Sequence, residues 1–241
     1  MDDLAEQPSR RKYEERHKSL AKRTHNLLMD VIKRQHFELT HDSHIPELLN
    51  PRGFEEIVIP ATEMFLQEGD QVVFGFIDMD KMKAINDKYG HPKGDEVIKM
   101  LAEVLQKYFK RETDIIALNH PKEGEKPQGG LARRGGDEFL LAIALTDIER
   151  VKMFLQDAKE EFEKEAQKIT PEIVPSFSFG LASMREKLEE IYDRDKIQEG
   201  NLAVSQIEAV DAEPSYLMVS ALQVAEMRMY KDKSERGQAR T

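Results

Sequence analysis

The chain has 241 residues, 34% of them charged and 39% hydrophobic, which predicts a soluble globular protein with one medium domain or a domain plus an appendage. Its formal net charge of -10 argues against a general surface for nucleic acid or anionic membrane, so we expect no partner of either kind. The lack of cysteine excludes a disulfide framework, a thiolate nucleophile and a zinc-thiolate site, and it suits a cytoplasmic location. The first residues form no apolar signal core, and the longest aliphatic run, Phe139 to Leu145, is too short to span a membrane.

The N-terminal stretch from residue 8 to about 38 has the composition of a helix, since it is rich in Lys, Arg and Glu and contains no glycine. A stripe recurs along it at three-to-four spacing, at Leu20, Thr24, Leu27 and Val31, widened by Leu28 and Ile32. This stripe fits either a helix packed on its own domain or a coiled coil that dimerises or relays a signal. The segment Leu39 to Pro51 is predicted to be a linker, in which His41 and His44 are solvated rather than metal ligands.

A buried strand is predicted after a core-facing helix at Glu55 to Gln67. The run Val72 to Ile77 is rich in β-branched and aromatic residues, and it ends in Asp78-Met79-Asp80. The acidic pair therefore lies at the carboxyl end of a buried strand, where α/β sheets generally place ligands.

Two helices are predicted next, separated by a break at Tyr89 to Gly94. The first is short, Lys83 to Lys88. The second is long and amphipathic and runs to about Lys110, with Asp95 as its N-cap. A further amphipathic helix is predicted at Ile148 to Lys168, with a role in packing.

A tight turn with two carboxylates is predicted between these helices, at Arg133-Arg134-Gly135-Gly136-Asp137-Glu138-Phe139. The two glycines can adopt the positive dihedrals of a hairpin, and the apolar run Leu140 to Ile143 indicates a buried strand. Asp137 and Glu138 would then lie at the mouth of a rigid sheet, in a position that suits a divalent cation. A plain hairpin with a solvated acidic turn is the alternative.

Two long motifs in this order resemble those of the GGDEF family of diguanylate cyclases. They are the stretch from Asp78 to Asp95 and the turn from Arg133 to Phe139. The resemblance covers roughly Pro46 to Gly237, and it includes a weaker match at Leu48 to Phe54 and a Ser-x-Gly strand at Ser176 to Ala182. It implies an α/β fold with a central, mostly antiparallel sheet flanked by helices, similar to nucleotidyl cyclase and polymerase palm domains. Residues 1–41 would then be an N-terminal helix and linker, and residues 42–241 a catalytic domain with insertions near 119–130 and 184–214.

The resemblance also implies a reaction, the condensation of two GTP into cyclic di-GMP with release of two pyrophosphates. Two divalent cations would neutralise charge on the attacking and leaving oxygens, and hard oxygen ligands favour Mg²⁺, with Mn²⁺ as a substitute. By family position, the ligands would be the side chains of Asp78 and Asp137 and the carbonyl of Met79. Glu138 would assist the metal or deprotonate the hydroxyl. Because one domain holds one GTP, a homodimer is expected.

The resemblance also implies substrate-binding residues, again by the family positions that they match. Asn86 and Asp95 match the positions that read guanine, whose N1 and N2 donors a carboxylate can accept. Lys83 and the backbone amides near Lys81 and Met82 match a turn that cradles the triphosphate. Lys233 and Arg236 match phosphate-binding positions near the carboxyl end of the chain. The alternative for Asp95 is a plain helix cap, and for Asn86 a plain turn residue.

Several departures from the family pattern keep a second function open. Arg236 stands one place early, exchanged with Gly237. The entry motif reads Ser43 to Leu48 in place of the family's usual spelling, which bears on packing more than on catalysis. The displaced arginine favours a catalytically silent GGDEF module that binds GTP or cyclic di-GMP and signals through contacts. The intact turn and Asp78 favour the enzyme. An unrelated Mg²⁺-dependent nucleotidyl transferase on a palm fold is a third reading.

An inhibitory product site, an Arg-x-x-Asp in many relatives, has a counterpart here at Arg111 and Asp114. Twenty residues separate Asp114 from Gly135, whereas relatives have five before the Gly-Gly pair. The intervening insertion leads us to expect weak or absent inhibition by cyclic di-GMP.

Overall fold

The computed structural model of the chain describes residues 8–56, 58, 60, 72–109, 129–144, 147–184, 186 and 214–236. It contains two compact units, residues 1–39 and residues 40–241. The first consists of the helix α1, Pro8–Thr40, apart from its last residue. The predicted stripe on α1 is exposed, with 61% of Leu20, 67% of Leu27 and 53% of Val31 accessible to solvent. No helix in the described ranges is both long enough and apolar enough to cross a membrane.

In the described residues, the second unit is built on an antiparallel sheet of four strands, β1 (Val72–Asp80), β2 (Gly129–Gly135), β3 (Glu138–Ala144) and β4 (Ser176–Ser183). The strand order is β2-β3-β1-β4. β1 lies in the interior of the sheet and all nine of its residues are buried, which explains its nearly continuous apolar sequence. The predicted antiparallel sheet flanked by helices is confirmed.

Among the described residues, the sheet is accompanied by α2 (Met82–Tyr89), α3 (His91–Phe109), α4 (Ile148–Ala166) and α5 (Pro214–Glu235), in addition to the helical residues 51–56, 58 and 60. α3 begins about one turn earlier than the sequence predicted, so Asp95 lies inside the helix and is not its N-cap. The break between α2 and α3 is confined to Gly90, which has a φ of 83°. Pro92 lies in the first turn of α3. Backbone N–H groups in the first turn of a helix have no acceptor within the helix, so a proline, which lacks this N–H, is tolerated there.

The strand alternation of β1 divides the core into two faces. Odd-numbered residues, among them Val73 and Ile77, pack with α3 and α4. Even-numbered residues, among them Phe74 and Phe76, pack with the buried stripe of α5. Asp78 and Asp80 continue the even set, so their side chains extend from the face that α5 covers.

The segment predicted as a linker is an ordered part of the second unit. Leu49 forms a bridge to His41 and a parallel bridge to Ala132 of β2, and both Leu48 and Leu49 are fully buried. The chain is helical again from residue 51, earlier than predicted, and residues 51–56, 58 and 60 belong to this helix. The rest of the predicted helix up to Gln67 lies outside the described residues, as does most of the two predicted insertions. Gly129 and Gly130, placed in the first insertion by the sequence, are the first residues of β2.

Candidate active site

Two buried carboxylates mark the end of β1. The side chains of Asp78 and Asp80 are only 1% and 3% exposed, which is unusual for acids unless cations or hydrogen bonds compensate them. They are two residues apart on a strand and therefore share the face that α5 covers. Between them Met79 faces the opposite core and is 2% exposed. The predicted ligand position at the end of this strand is thus a preformed acidic site.

The Gly-Gly turn brings a second pair of acids to the same end of the sheet. Gly135 and Gly136 have φ values of 151° and 55°, so the predicted use of both glycines is confirmed. Glu138 is the direct cross-strand partner of Asp78, and the carbonyl oxygen of Asp137 accepts a hydrogen bond from the N–H of Met79 at 3.1 Å. The turn and the end of β1 are therefore joined by backbone pairing, which fixes their relative positions.

The turn is also held by an arginine that sequence reasoning did not single out. The guanidinium of Arg133 donates to the carbonyl oxygen of Gly136 at 2.8 and 3.0 Å, and it lies 3.4 Å from a carboxylate oxygen of Asp42. That same oxygen accepts the N–H groups of His44 and Ile45 at 2.8 Å each. Asp42 thus links the 41–50 segment to the turn, a role that single-sequence reasoning missed because its partner is 91 residues away.

Lys233, a predicted phosphate ligand, is buried at the two carboxylates of β1. Its side chain is 5% exposed, its ammonium forms an ion pair with Oδ2 of Asp78, and it lies 3.0 Å from Oδ1 of Asp80. Lys233 continues the buried stripe of Ala225 and Met229 on α5 at a spacing of four residues. An ionisable residue in line with an apolar helical stripe is a sequence signal for a buried cation.

Ser178 completes this buried group from β4. It is fully buried, is the cross-strand partner of Asp78, and its hydroxyl lies 3.2 and 3.0 Å from the two carboxylate oxygens of Asp80. Burial raises the pKa of Asp80 above its ordinary value, and the hydrogen bond from Ser178 opposes that rise. The sequence pointed to Asp80 only as one of the acidic pair at the end of β1, without a role of its own, and it assigned no role to Ser178. Their alternation with Asp78 and Ser176 in otherwise apolar strands is the signal that could have indicated them.

Further cations surround the same end of the sheet. The charges of Lys159, Arg236 and Lys81 lower the pKa of Asp80, in that order of importance. Lys159 of α4 was not predicted; its ammonium is 5.9 Å from the centroid of the Phe177 ring, and burial lowers its pKa. Arg236, the displaced arginine, forms an ion pair with Asp232 one turn earlier.

The predicted phosphate turn lies directly after β1. Lys81 has a left-handed backbone, with φ 66°, and its ammonium donates to the carbonyl oxygen of Val174 at 3.3 Å. No side chain caps the N-terminus of α2, which begins at Met82, and Lys83 is exposed beside it. An uncapped helix N-terminus next to lysines is an arrangement that favours a phosphate group.

The two predicted guanine-reading residues lie on α2 and α3. The side-chain oxygen of Asn86 is buried and has no hydrogen-bond partner among the described residues. It lies so close to Gly94 that a Cβ there would be 2.0 Å from it. Asp95, the next residue, is exposed. A buried oxygen without a partner costs stability, so this orphaned acceptor fits a site that a ligand's N–H donor completes.

The donor set at the end of β1 fits a hard divalent cation. Asp78, Asp137 and Glu138 provide carboxylates, and the buried ammonium of Lys233 forms an ion pair with Asp78. The described side chains do not, however, gather three acidic or histidine ligands closely enough to enclose a metal. The strand register brings the predicted ligands to one end of the sheet. Asp78, one of these ligands, is paired there with the ammonium of Lys233. The predicted inhibitory residues Arg111 and Asp114 lie outside the described residues.

A family model described as "Diguanylate cyclase, GGDEF domain" matches residues 39–207 of the chain. Among curated proteins, the probable diguanylate cyclase DgcJ of Escherichia coli (strain K12) is 28% identical over 186 residues, which is 74% of this chain and 33% of that protein. Diguanylate cyclase DgcM of the same strain is 28% identical over 165 residues, or 67% of this chain and 36% of that protein. The chain therefore spans about a third of the length of these relatives.

Solved structures share the fold. The coiled coil and GGDEF domain of DgcB from Caulobacter crescentus, in complex with c-di-GMP, has a TM-score of 0.61 at 18% identity, covering 92% of this chain and 95% of that one. A microbial GGDEF domain solved with cyclic di-GMP has a TM-score of 0.54 at 22% identity, covering 81% of this chain and 94% of that one. At these identities the likeness establishes the fold alone.

Proposed function

The chain belongs to the GGDEF family, and we propose that it is a diguanylate cyclase that condenses two GTP into cyclic di-GMP and releases pyrophosphate. The observation that carries the proposal is the meeting of Asp78, buried at the end of β1, with Glu138, its cross-strand partner on the Gly-Gly turn. Attack of a ribose hydroxyl on an α-phosphate needs negative charge neutralised at both oxygens, and acids in this arrangement hold the cations that do so.

In the proposed reaction, Asp78, Asp137, Glu138 and the carbonyl of Met79 bind divalent cations, Mg²⁺ or Mn²⁺, two per site. Those cations supply charge neutralisation at the reacting phosphate. Glu138 is the residue proposed to orient or deprotonate the ribose hydroxyl, because its side chain is 21% exposed and can reach solvent-side substrate. Glu138 lies 3.6 Å from a guanidinium nitrogen of Arg134, which also pairs with Glu226 at 3.2 Å, so the longer contact with Glu138 is weak enough to exchange.

The substrate contacts follow from the positions of the remaining residues. We propose that the uncapped start of α2, with Lys81, Met82 and Lys83, binds the triphosphate together with Lys233. Asn86 and Asp95 would read guanine, and the orphaned oxygen of Asn86 supports this assignment.

The enzyme is proposed to act as a homodimer, because each half-site holds one GTP and each GTP supplies the nucleophile for the other. The exposed stripe of α1 supports a second copy of the chain as partner. GTP, cyclic di-GMP and this second copy are the proposed partners, and we propose a cytoplasmic location.

A catalytically silent GGDEF module remains the second candidate, supported by two observations. Arg236 is held by Asp232 in an ion pair and is displaced in the sequence from the family position. A cyclic di-GMP phosphodiesterase, NbdA of Pseudomonas aeruginosa, is 28% identical over 125 residues, 50% of this chain and 14% of that protein, so similar stretches also occur in proteins named for another activity. Such a module would bind GTP or cyclic di-GMP and signal through protein contacts.

The test is to incubate the purified chain with GTP and Mg²⁺, then with Mn²⁺, and to separate the products by chromatography and mass. We expect cyclic di-GMP and pyrophosphate from GTP, and no product when ATP replaces GTP. Binding of GTP or cyclic di-GMP without turnover under all these conditions would reject the enzyme and support the silent module.

A further inference from the structure

The cluster of Asp78, Asp80, Ser178 and Lys233 contains more than the proposed cation-binding role requires. Two carboxylates, 1% and 3% exposed, share the ammonium of Lys233, and the hydroxyl of Ser178 lies within hydrogen-bond distance of one of them. Burying a carboxylate is costly unless it is paired, so Lys233 compensates these two acids in the substrate-free protein.

Lys233 and a metal ion compete for the same oxygen. The ammonium contacts Oδ2 of Asp78, and a divalent cation bound there would lie about 2.0–2.6 Å from a ligand oxygen, which leaves no room for an ammonium on the same side. The ammonium therefore has to leave Asp78 when a cation arrives. Asp80 is the group that can receive it, because its Oδ1 is already 3.0 Å from the lysine nitrogen.

Asp80 is prepared for this exchange by Ser178. The hydroxyl lies within hydrogen-bond distance of both oxygens of Asp80, from a strand that is paired residue by residue with β1. The carboxylate is therefore held in one orientation, and Lys233, on a long side chain, lies within reach of both acceptors. The lysine stays beside the site after the exchange, where it can meet a phosphate oxygen.

We propose that Lys233 occupies the metal position at Asp78 in the substrate-free protein, and that Asp80, oriented by Ser178, takes Lys233 over when a divalent cation binds. Asp80 is then a positioning residue that acts through Lys233. The proposal rests on the proposed function for one premise, the binding of a cation at Asp78.

The test measures Mn²⁺ binding without nucleotide, from the electron paramagnetic resonance signal of the free ion, on the full chain. Lys233→Met removes the competitor and is expected to tighten Mn²⁺ binding by at least about tenfold. Lys233→Gln keeps a neutral donor for the buried carboxylates and serves if the methionine variant folds poorly; the same direction is expected. Lys107→Met is the matched control, since it removes one lysine from an exposed ion pair with Glu161 and should leave Mn²⁺ binding unchanged.

A double-variant comparison separates a positioning role for Asp80 from a direct one. Asp80→Asn alone is expected to weaken Mn²⁺ binding by about tenfold, the usual effect of removing a group that supports a metal ligand. Ser178→Ala should act in the same direction with a smaller effect, whereas Thr170→Val, at another buried hydroxyl, should have none. In the Lys233→Met background the effect of Asp80→Asn should largely disappear, because Asp80 no longer has a lysine to receive.

Three outcomes would overturn the proposal. They are unchanged Mn²⁺ affinity in both Lys233 variants, a full Asp80→Asn effect in the absence of Lys233, and no Mn²⁺ binding to any of these proteins. If the wild-type chain nevertheless makes cyclic di-GMP, the proposed function stands and only the exchange of Lys233 fails.

Discussion

At the scale of the residue, the acids of the candidate site differ in burial, and they should therefore differ in what their removal costs. Asp78 and Asp80 are buried and share the ammonium of Lys233, so truncating either removes one member of a buried, coupled group of charges. Asp137 and Glu138 are half-buried on a turn, where truncation removes little packing. The turn acids are thus the residues at which chemistry can be removed without unfolding the protein.

Asp137→Ala and Glu138→Ala are each expected to lower cyclic di-GMP synthesis by more than about a hundredfold, because they remove groups that hold charge at the reacting phosphate. Thermal unfolding should change little in both variants. Glu161→Ala is a suitable control, since Glu161 is also half-exposed and paired with a basic residue, Lys107. Near-wild-type turnover by either turn variant would refute the assignment of the metal site.

Asp95→Ser is expected to weaken the preference for GTP over ATP, because it removes an acceptor for the N1 and N2 donors of guanine. A lost hydrogen bond of this kind typically costs about 1–3 kcal/mol, which competition assays with both nucleotides can resolve. The residue lies inside α3 and is exposed, so the helix should remain intact. Unchanged selectivity would reduce Asp95 to a surface residue of α3.

The sequence indicated those site residues that lie within one motif, and it missed those that depend on pairing between distant strands. Asp78 and the Gly-Gly turn are recognisable because each motif is continuous along the chain. The contact of Ser178 with Asp80 depends on the register of β4 against β1, which joins residues 98 positions apart. That register is set by the whole sheet, so no local pattern contains it.

At the scale of the element, the position of α5 on the sheet determines where Lys233 lies. A Cβ on Gly180 of β4 would be 1.9 Å from the carbonyl oxygen of Ala225 and 2.5 Å from the amide nitrogen of Met229. The backbone of α5 therefore rests directly on the glycine of the strand. Lys233, one turn after Met229, reaches the carboxylates of β1 because of this close approach.

Gly180→Ala should consequently destabilise the fold by about 1–3 kcal/mol or more, since the obstructing atoms belong to the helix backbone and cannot turn aside. Gly75→Ala is the matched control in β1. Its Cβ would meet side-chain atoms of Leu181 and Leu141 at 3.1–3.3 Å, and side chains can adjust. Chemical denaturation should show the larger loss for Gly180→Ala; equal losses would mean that α5 does not rest on β4 as described.

The bounds of the elements were harder to predict than their kinds. The sequence placed the start of the long helix at Asp95 because that residue is a favourable N-cap, while the structure begins α3 at His91. The segment 41–50 looked like a linker because it is polar and contains proline, yet its Leu48 and Leu49 are fully buried. In both places tertiary packing decided what local composition left open.

For the whole molecule, the proposed reaction requires two copies of the chain, because one domain is expected to hold one GTP. If Leu20, Leu27 and Val31 form a seam between subunits, deleting residues 1–38 should lower activity at dilute protein, with recovery as the concentration rises. The measurement is the initial rate of cyclic di-GMP synthesis over a series of protein concentrations, for the full chain and for the chain that lacks residues 1–38. Rates per subunit that do not depend on concentration in the truncated protein would leave α1 without a role in dimerisation.

Condensation of two GTP can be tested most directly with an equal mixture of unlabelled and isotopically heavy GTP, the full chain and Mg²⁺. We expect cyclic di-GMP with no, one and both guanosines labelled, the singly labelled species being the most abundant, together with two pyrophosphates for each product. Products that contain only one guanosine, or nucleotide binding without turnover, would contradict the proposed reaction.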